Sequence, residues 1–333
     1  MRPLFLIQSH KEPAQLARLA RVLRMGCPNC QVLVSHDFRA APLPASTFGD
    51  DPHVHIIEGK GGRGDFEIVD GYLAALRWAR ENIDYDWVTN LSGQDYPVSS
   101  LAGFAAELAA SEHDGFLHHF DAVQQNADRM SPMRWPPGHG YGRYYFQYRK
   151  IKDRPSVIER VALKWPRVAF DRLDAPYRIN TAYGLLLGRR AAAIPFTDRF
   201  RCYAGSYWHT IRRRCADYLL DFTDRNPGVV AYMRRVLIPD ESFVQTVLVN
   251  EPEFRFVNDN RRYYNMRGSR RGHPQTLTAD DAPAFLGKRF VFARKFEATN
   301  GAAFFDWLDD IALSPHDRSG EQITRPAAAA PAL

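Results

Sequence analysis

The chain is poor in cysteine: four in 333 residues, too few for a disulfide framework at this length. Cys27-Pro28-Asn29-Cys30 has CxxC spacing, but no second Cys or His pair lies near it, so neither a zinc nor a redox centre is expected. No apolar stretch approaches the roughly 20 residues that span a bilayer, which excludes an integral membrane helix. The apolar run Leu4–Ile7 is too short for a signal-peptide core, and polar Gln8, Ser9, His10 and Lys11 follow it at once. It reads as a first strand, and the expected location is cytoplasmic. There is no internal repeat and no long basic tract. Arg261–Arg271 and Gly287–Lys295 are basic but interrupted, so nucleic acid is not the expected partner. The net charge of +6 still suggests an anionic partner, for which a diphosphate suffices.

What the chain does have is alternation. Leu4–Ile7 reads as a short buried strand, Gln31–Ser35, Val54–Ile57 and Trp87–Leu91 as three more strands, and Gly115–His118 suggests another. Between them, Leu16, Leu19, Val22 and Leu23 recur at helical spacing after Pro13, with Gly26 as a stop. Ile68, Val69, Tyr72, Leu73, Leu76 and Ala79 mark a second amphipathic helix. Strands alternating with helices predict an α/β fold with a mostly parallel central sheet flanked by helices. Ligands of such sheets lie beyond the carboxyl ends of the strands. Attention therefore falls on Gln8–His10, His36-Asp37, Glu58–Gly64 and Ser92–Tyr96.

Residues 121–178 are rich in Arg, Tyr, Trp and Pro and show no period, the pattern of a substrate-facing lobe. The aromatic and basic stretch Arg134–Arg149, with Arg134, Trp135 and Tyr141, is expected to face an acceptor. Alternation resumes at Thr181–Leu187, with helices around Arg212–Phe222 and Glu241–Leu248 and a strand at Phe254–Val257. Residues 1–120 and 121–313 are expected to be two halves of one unit. The low-complexity tail 314–333 is expected to be disordered.

Four segments carry more specific information: WVTNLSGQDYPV at Trp87–Val98, Gly205-Ser206-Tyr207-Trp208, LIPDESFVQTVL at Leu237–Leu248, and FARKFE at Phe292–Glu297. In this order and spacing, from about residue 3 to residue 300, the chain resembles the core-2/I-branching β-1,6-N-acetylglucosaminyltransferases and peptide O-xylosyltransferases, glycosyltransferase family 14. LSGQDYP together with FARKF is highly specific. The resemblance implies a GT-A-type fold and a UDP-sugar donor carrying N-acetylglucosamine or xylose. It implies residues 1–120 as the nucleotide-sugar-binding half and 121–313 as the acceptor-binding and catalytic half. It also implies a glycan or peptide acceptor, inversion at the anomeric carbon, and no metal or other cofactor. With few cysteines and no anchor, a bacterial-type member building a surface glycan is expected.

Residue by residue, Asp37 matches the position that holds the uridine, and Gln8 and the loop Gly61–Arg63 match two donor-contacting segments. Arg63 departs from the usual aromatic there. Arg294 and Lys295 match the basic pair on the donor diphosphate. Glu241 matches the carboxylate that serves as base in the N-acetylglucosaminyl branch. His273 lies where the xylosyltransferases place a small donor-contacting residue. Their aspartate before tryptophan is replaced by Tyr207, and a phenol is a poor base near neutral pH, so proton removal falls to Glu241.

The chemistry asks for these residue types. Inverting transfer needs a carboxylate to take the acceptor proton and fixed positive charge to meet the departing diphosphate. Asp84-Tyr85-Asp86 has the D-x-D pattern of a metal site but precedes its strand, on the wrong side of the sheet. Asn258-Asp259-Asn260 is better placed but offers one carboxylate. Asp240 reads as a helix cap. Asp95 either touches the donor sugar or holds its turn, and Trp208 packs on the sugar or in the core. The alternative is a non-catalytic protein that binds a sugar nucleotide or glycan on the same fold.

Overall fold

The first strand sets the plan of the molecule. The computed structural model describes residues 1–62, 64–124, 135–136, 138–267 and 273–315. In it β1 (Pro3–Ser9) buries Leu4 and Leu6 in one apolar cluster and Phe5 and Ile7 in another. Successive side chains of a strand point to opposite faces, so an all-apolar run needs cover on both. The Phe5 face is covered by α1 (Pro13–Gly26) through Leu16, Leu19 and Leu23. Then follow β2 (Gln31–His36), β3 (Val54–Glu58) and α2 (Glu67–Asn82), whose Val69, Leu73 and Leu76 cover the Leu4 face. Each such side chain contributes about 1.5–3 kcal/mol when fully buried. The order continues with β4 (Trp87–Ser92), β5 (Asp95–Pro97), α3 (Leu101–Ala110) and β6 (Gly115–Asp121).

The segment 121–178, read from the sequence as irregular, is regular over much of its described length. It forms α4 (His139–Tyr144), β7 (Phe146–Lys152), α5 (Val157–Ala162), α6 (Lys164–Arg172) and β8 (Tyr177–Asn180). With β9 (Leu185–Arg190), strands β7 and β8 make a small antiparallel sheet. The period was invisible because α5 and α6 bury no residue, so nothing selects a one-sided apolar stripe.

Next come β10 (Tyr203–Arg212), α7 (Arg213–Arg225), α8 (Pro227–Met233), a 3-10 turn at Pro239–Glu241 and α9 (Phe243–Val249). The described chain closes with β11 (Phe256–Val257), β12 (Arg262–Tyr264), α10 (Ala282–Phe285), β13 (Phe292–Arg294) and α11 (Ala302–Ala312). Of the tail expected from residue 314, all beyond Pro315 lies outside the described residues.

The central sheet has seven strands in the order β3-β2-β1-β4-β10-β6-β11. All neighbours are parallel except β10, which runs antiparallel to both β4 and β6. The expected α/β class, a mostly parallel sheet flanked by helices, is the one observed. The two halves drawn at residue 120 share this sheet, because β10 enters between two strands of the first half. Strand order reverses around β1, flanked by β2 and β4, and this switch point is where the ligand crevice of such sheets lies, beyond the carboxyl ends of the strands. A second sheet, β12-β13-β5, stands beside the turn that leaves β4.

Candidate active site

Three strand ends furnish the floor of the crevice. Beyond β2, Asp37 is 8% exposed, and its carboxylate accepts from the Arg39 guanidinium at 2.9 and 3.1 Å and from the Gly61 amide at 3.0 Å. The Arg39 hydrogen bonds, opposed by desolvation and helped by the backbone, hold its pKa below the usual carboxylate range. A Cβ at Gly61 would collide with the Asp37 carboxylate, so the close approach depends on glycine. At the end of β1, the Gln8 amide donates to the Ile68 carbonyl at 3.1 Å, and its oxygen accepts from the Tyr207 hydroxyl. Arg63, at the end of the Gly61–Arg63 loop, lies outside the described residues.

The third strand end, after β4, carries the LSGQDYP turn. Asp95 is fully buried there and both its oxygens are engaged. One accepts from Arg262 at 2.8 Å, the other from the Ser92 amide at 2.6 Å and the Ser92 hydroxyl at 2.5 Å. Of the two roles open to Asp95, holding the turn is the one its contacts describe. It positions Arg262.

Arg262 was missed in the sequence, and it organises the wall of the crevice. The Arg262 guanidinium lies 5.0 Å from the centre of the Trp208 ring and the Arg294 guanidinium 4.1 Å from it. Arg262 is 3% exposed, and burial, with the Arg294 charge acting the same way against Asp95, pulls its pKa down to about 10. Burial lowers Arg294 as well, and both guanidinium Nε atoms are buried without a partner. Two cations thus share one carboxylate. Beside them Lys295 lies 3.7 Å and Lys11 3.4 Å from Glu297, which also accepts from Gln94 at 3.0 Å. Four cations against two carboxylates leave two positive charges in excess, partly withdrawn from water. Such charge is costly unless an anion meets it.

The catalytic carboxylate predicted from sequence sits across β10. Glu241 ends the 3-10 turn, and its Oε2 accepts from Arg143 at 2.5 Å. The Glu241 side chain is 37% exposed and that of Arg143 only 14%, so the acid faces the opening while the cation holds it from behind. Arg143, on α4, also stacks 4.3 Å from the Trp135 ring. Beside Trp135, burial first and Arg143 second push His139 down to about 3, which keeps it neutral.

Asp240 is not the cap expected of it. The helix begins at Phe243 after Ser242, and no side chain caps it. Asp240 instead keeps one buried oxygen without a partner. Desolvation first, then the Glu241 charge, raise its pKa to about 7. Tyr207 is 5% exposed, and burial, followed by the Asp240 charge, pushes its phenol well above the usual range. It is a hydrogen-bond donor to Gln8, under the crevice rather than in it.

Of the other predicted residues, Trp135 joins Glu241 through Arg143. Tyr141 packs on Tyr145 and Phe146, with ring centres 5.2 and 5.7 Å apart. His273 is exposed, at the start of the segment whose Leu277 amide bonds the Lys295 carbonyl. Arg134 lies outside the described residues. Asp84 and Asp86 pair with Arg2 at the opposite end of β4, and Asp259 pairs with Arg289 at 3.1 Å. Cys27 and Cys30 are buried in the core. Among the described residues no group of three or more His, Cys, Asp or Glu side chains converges on a metal position, and no helix is long and apolar enough to cross a membrane.

Residues 170–290, which contain Tyr207, Trp208, Glu241 and Arg262, match the family model described as Core-2/I-Branching enzyme. Beta-glucuronosyltransferase GlcAT14A of Arabidopsis thaliana is 25% identical over 285 residues, 81% of this chain and 53% of that protein. Beta-glucuronosyltransferase GlcAT14B of the same plant is 24% identical over 246 residues, 70% and 46% of the two chains. The chain therefore spans about half the length of the curated relatives it matches. Among solved structures, an active-site mutant of LgtC aligns at a TM-score of 0.39 and 10% identity, covering 92% of this chain and 89% of that one. Galactosyltransferase LgtC with donor and acceptor sugar analogs aligns at 0.34 and 12%, covering 91% and 88%.

Proposed function

We propose that the chain is an inverting, metal-independent glycosyltransferase of the core-2/I-branching kind, moving a sugar from a UDP-sugar to a hydroxyl of a glycan or peptide. The observation that carries this reading is the pairing of two sites across β10: a partly exposed carboxylate held by Arg143, and a wall of cations in excess around Trp208. The first suits an acceptor hydroxyl, the second a diphosphate.

In the step we infer, the Glu241 carboxylate takes the acceptor proton as the acceptor oxygen forms its bond to the anomeric carbon. The bond from that carbon to the diphosphate oxygen breaks, and its electron pair leaves with UDP. Arg294 and Lys295 meet the charge that grows on the leaving group, and Arg262, held behind them by Asp95, adds its positive field. Arg143 keeps Glu241 oriented until the acceptor arrives. Asp37 suits the uracil edge, with Arg39, 63% exposed, free to swing aside. A cation wall of this kind takes over what a divalent ion does elsewhere.

The resemblance favours N-acetylglucosamine or xylose as the transferred sugar. The names of the two plant relatives favour a second reading, glucuronic acid. UDP release from the three UDP-sugars, with and without EDTA, separates them. Glu241→Gln should cut turnover about 100- to 10,000-fold, the usual worth of a positioned base, while UDP still raises the melting temperature. Full activity in that variant sinks the assignment. Binding without turnover in the unaltered protein supports the non-catalytic alternative.

A further inference from the structure

The arm formed by α5 and α6 has an unusual surface. Val157, Ile158, Val161, Trp165 and Leu173 are 77, 80, 66, 74 and 77% exposed. Scattered apolar residues on a surface are ordinary, but a cluster of large ones with a tryptophan marks a contact site. The charge around them is one-sided too. Residues 149–173 hold eight Lys or Arg against three Asp or Glu, whereas the rest of the chain is nearly balanced, with 36 against 35. The three acids are already engaged: Asp153 with Lys150 at 3.3 Å, Glu159 with Lys152 at 3.0 Å and Asp171 with Arg178 at 3.2 Å. Arg154, Arg160, Lys164, Arg167 and Arg172 supply the surplus.

We propose that this arm docks the protein on the surface of an anionic phospholipid bilayer, with Val157, Ile158, Val161 and Trp165 entering the interface and the surplus cations meeting lipid phosphates. Aliphatic and tryptophan side chains interleaved with Lys and Arg on short helices are what such an interface takes up. A nucleic acid would use the cations but not the aliphatic side chains. A second copy would bury the aliphatics but set two basic arms against each other. The arm also belongs to the acceptor side of the cleft. It continues from β7, which follows the helix bearing Arg143, and Lys150 at its base lies 3.8 Å from Asp65. Docking of this kind rests on the arm alone, whether or not the chain transfers sugar.

Flotation of the full chain with vesicles tests this, comparing phosphatidylcholine alone with phosphatidylcholine containing phosphatidylglycerol. The anionic vesicles should be bound, the neutral ones at least tenfold more weakly. Two double variants, Ile158→Asp with Trp165→Ser and Lys164→Glu with Arg167→Glu, should each lose about tenfold or more of that binding, each cation near an anionic surface being worth about 1 kcal/mol. Because these side chains are exposed, melting temperatures should not change, which separates lost docking from lost folding. Protein that ignores both vesicles, or variants that float like the parent, overturn the proposal. So does a dimer in solution that the Ile158→Asp, Trp165→Ser variant dissociates while vesicle binding persists.

Discussion

Replacing Asp95 by Ala should destabilise the fold far more than its small size suggests. The side chain is fully buried and accepts three hydrogen bonds, at 2.8 Å from Arg262 and at 2.6 and 2.5 Å from Ser92. Its removal leaves Arg262, whose side chain is 1% exposed, with only the Asn90 carbonyl at 3.2 Å, close to the like charge of Arg294. Breaking one side of a buried ion pair costs about 3–5 kcal/mol, mostly through the orphaned partner. At about 2 °C per kcal/mol for a chain this large, melting should fall by roughly 6–10 °C. If the orphaned cation is the cause, adding Arg262→Met should recover much of the loss, since paired charges can be exchanged for apolar side chains at little cost. UDP should also stabilise the single variant more than the parent, because the wall then carries one more uncompensated charge. Thermal melts with and without UDP read all three effects. A single variant that melts with the parent, or a double variant no better than the single, refutes the reasoning.

Two further outcomes test the carboxylates. Asp240 has its folded pKa raised to about 7, so between about pH 4 and 7 the folded state binds a proton that the unfolded state has released, and stability falls as pH rises through that window. Asp240→Asn should therefore match the parent near pH 4 and exceed it at pH 8, by on the order of 2–4 kcal/mol in urea melts; equal curves at both pH values contradict the burial argument. Arg143→Ala should lower turnover about 10- to 100-fold while leaving the UDP-induced thermal shift intact, because it touches the base and not the cation wall; weakened UDP binding in that variant places Arg143 on the donor instead.

The half of the fold built from alternating periods was legible because its inner strands are buried on two faces and its helices on one. Leu4–Ile7 and the stripe from Ile68 to Ala79 announce their partners locally. Glu241 was singled out by its segment alone, and the structure adds its Arg143 partner; the Glu241→Gln variant tests the role. The rest depended on what folding brings together. Arg262 could be read as part of a basic stretch, but its burial follows from β12 lying beside β13, whose Arg294 stands opposite Asp95. Arg143 lies in the segment that shows no period, so nothing local marked it as the partner of an acid 98 residues away. Asp240 was misjudged because a 3-10 turn intervenes before the helix, which shifts the true start from the residues that look like caps.

The order in which β10 and the β12-β13-β5 sheet are assembled has a consequence for how the protein comes into being. Residues 3–121 supply β1 to β6, yet β4 and β6 do not pair with each other; the gap between them waits for Tyr203–Arg212. Until then one edge of β4 and both edges of β6 stay open, the condition under which chains associate wrongly. Asp95 must likewise wait for Arg262, and Trp208 for Arg294. On the proposed reading the diphosphate wall is therefore complete only once β12 and β13 have joined β5 and β10, and nucleotide binding becomes a direct report that both sheets are assembled.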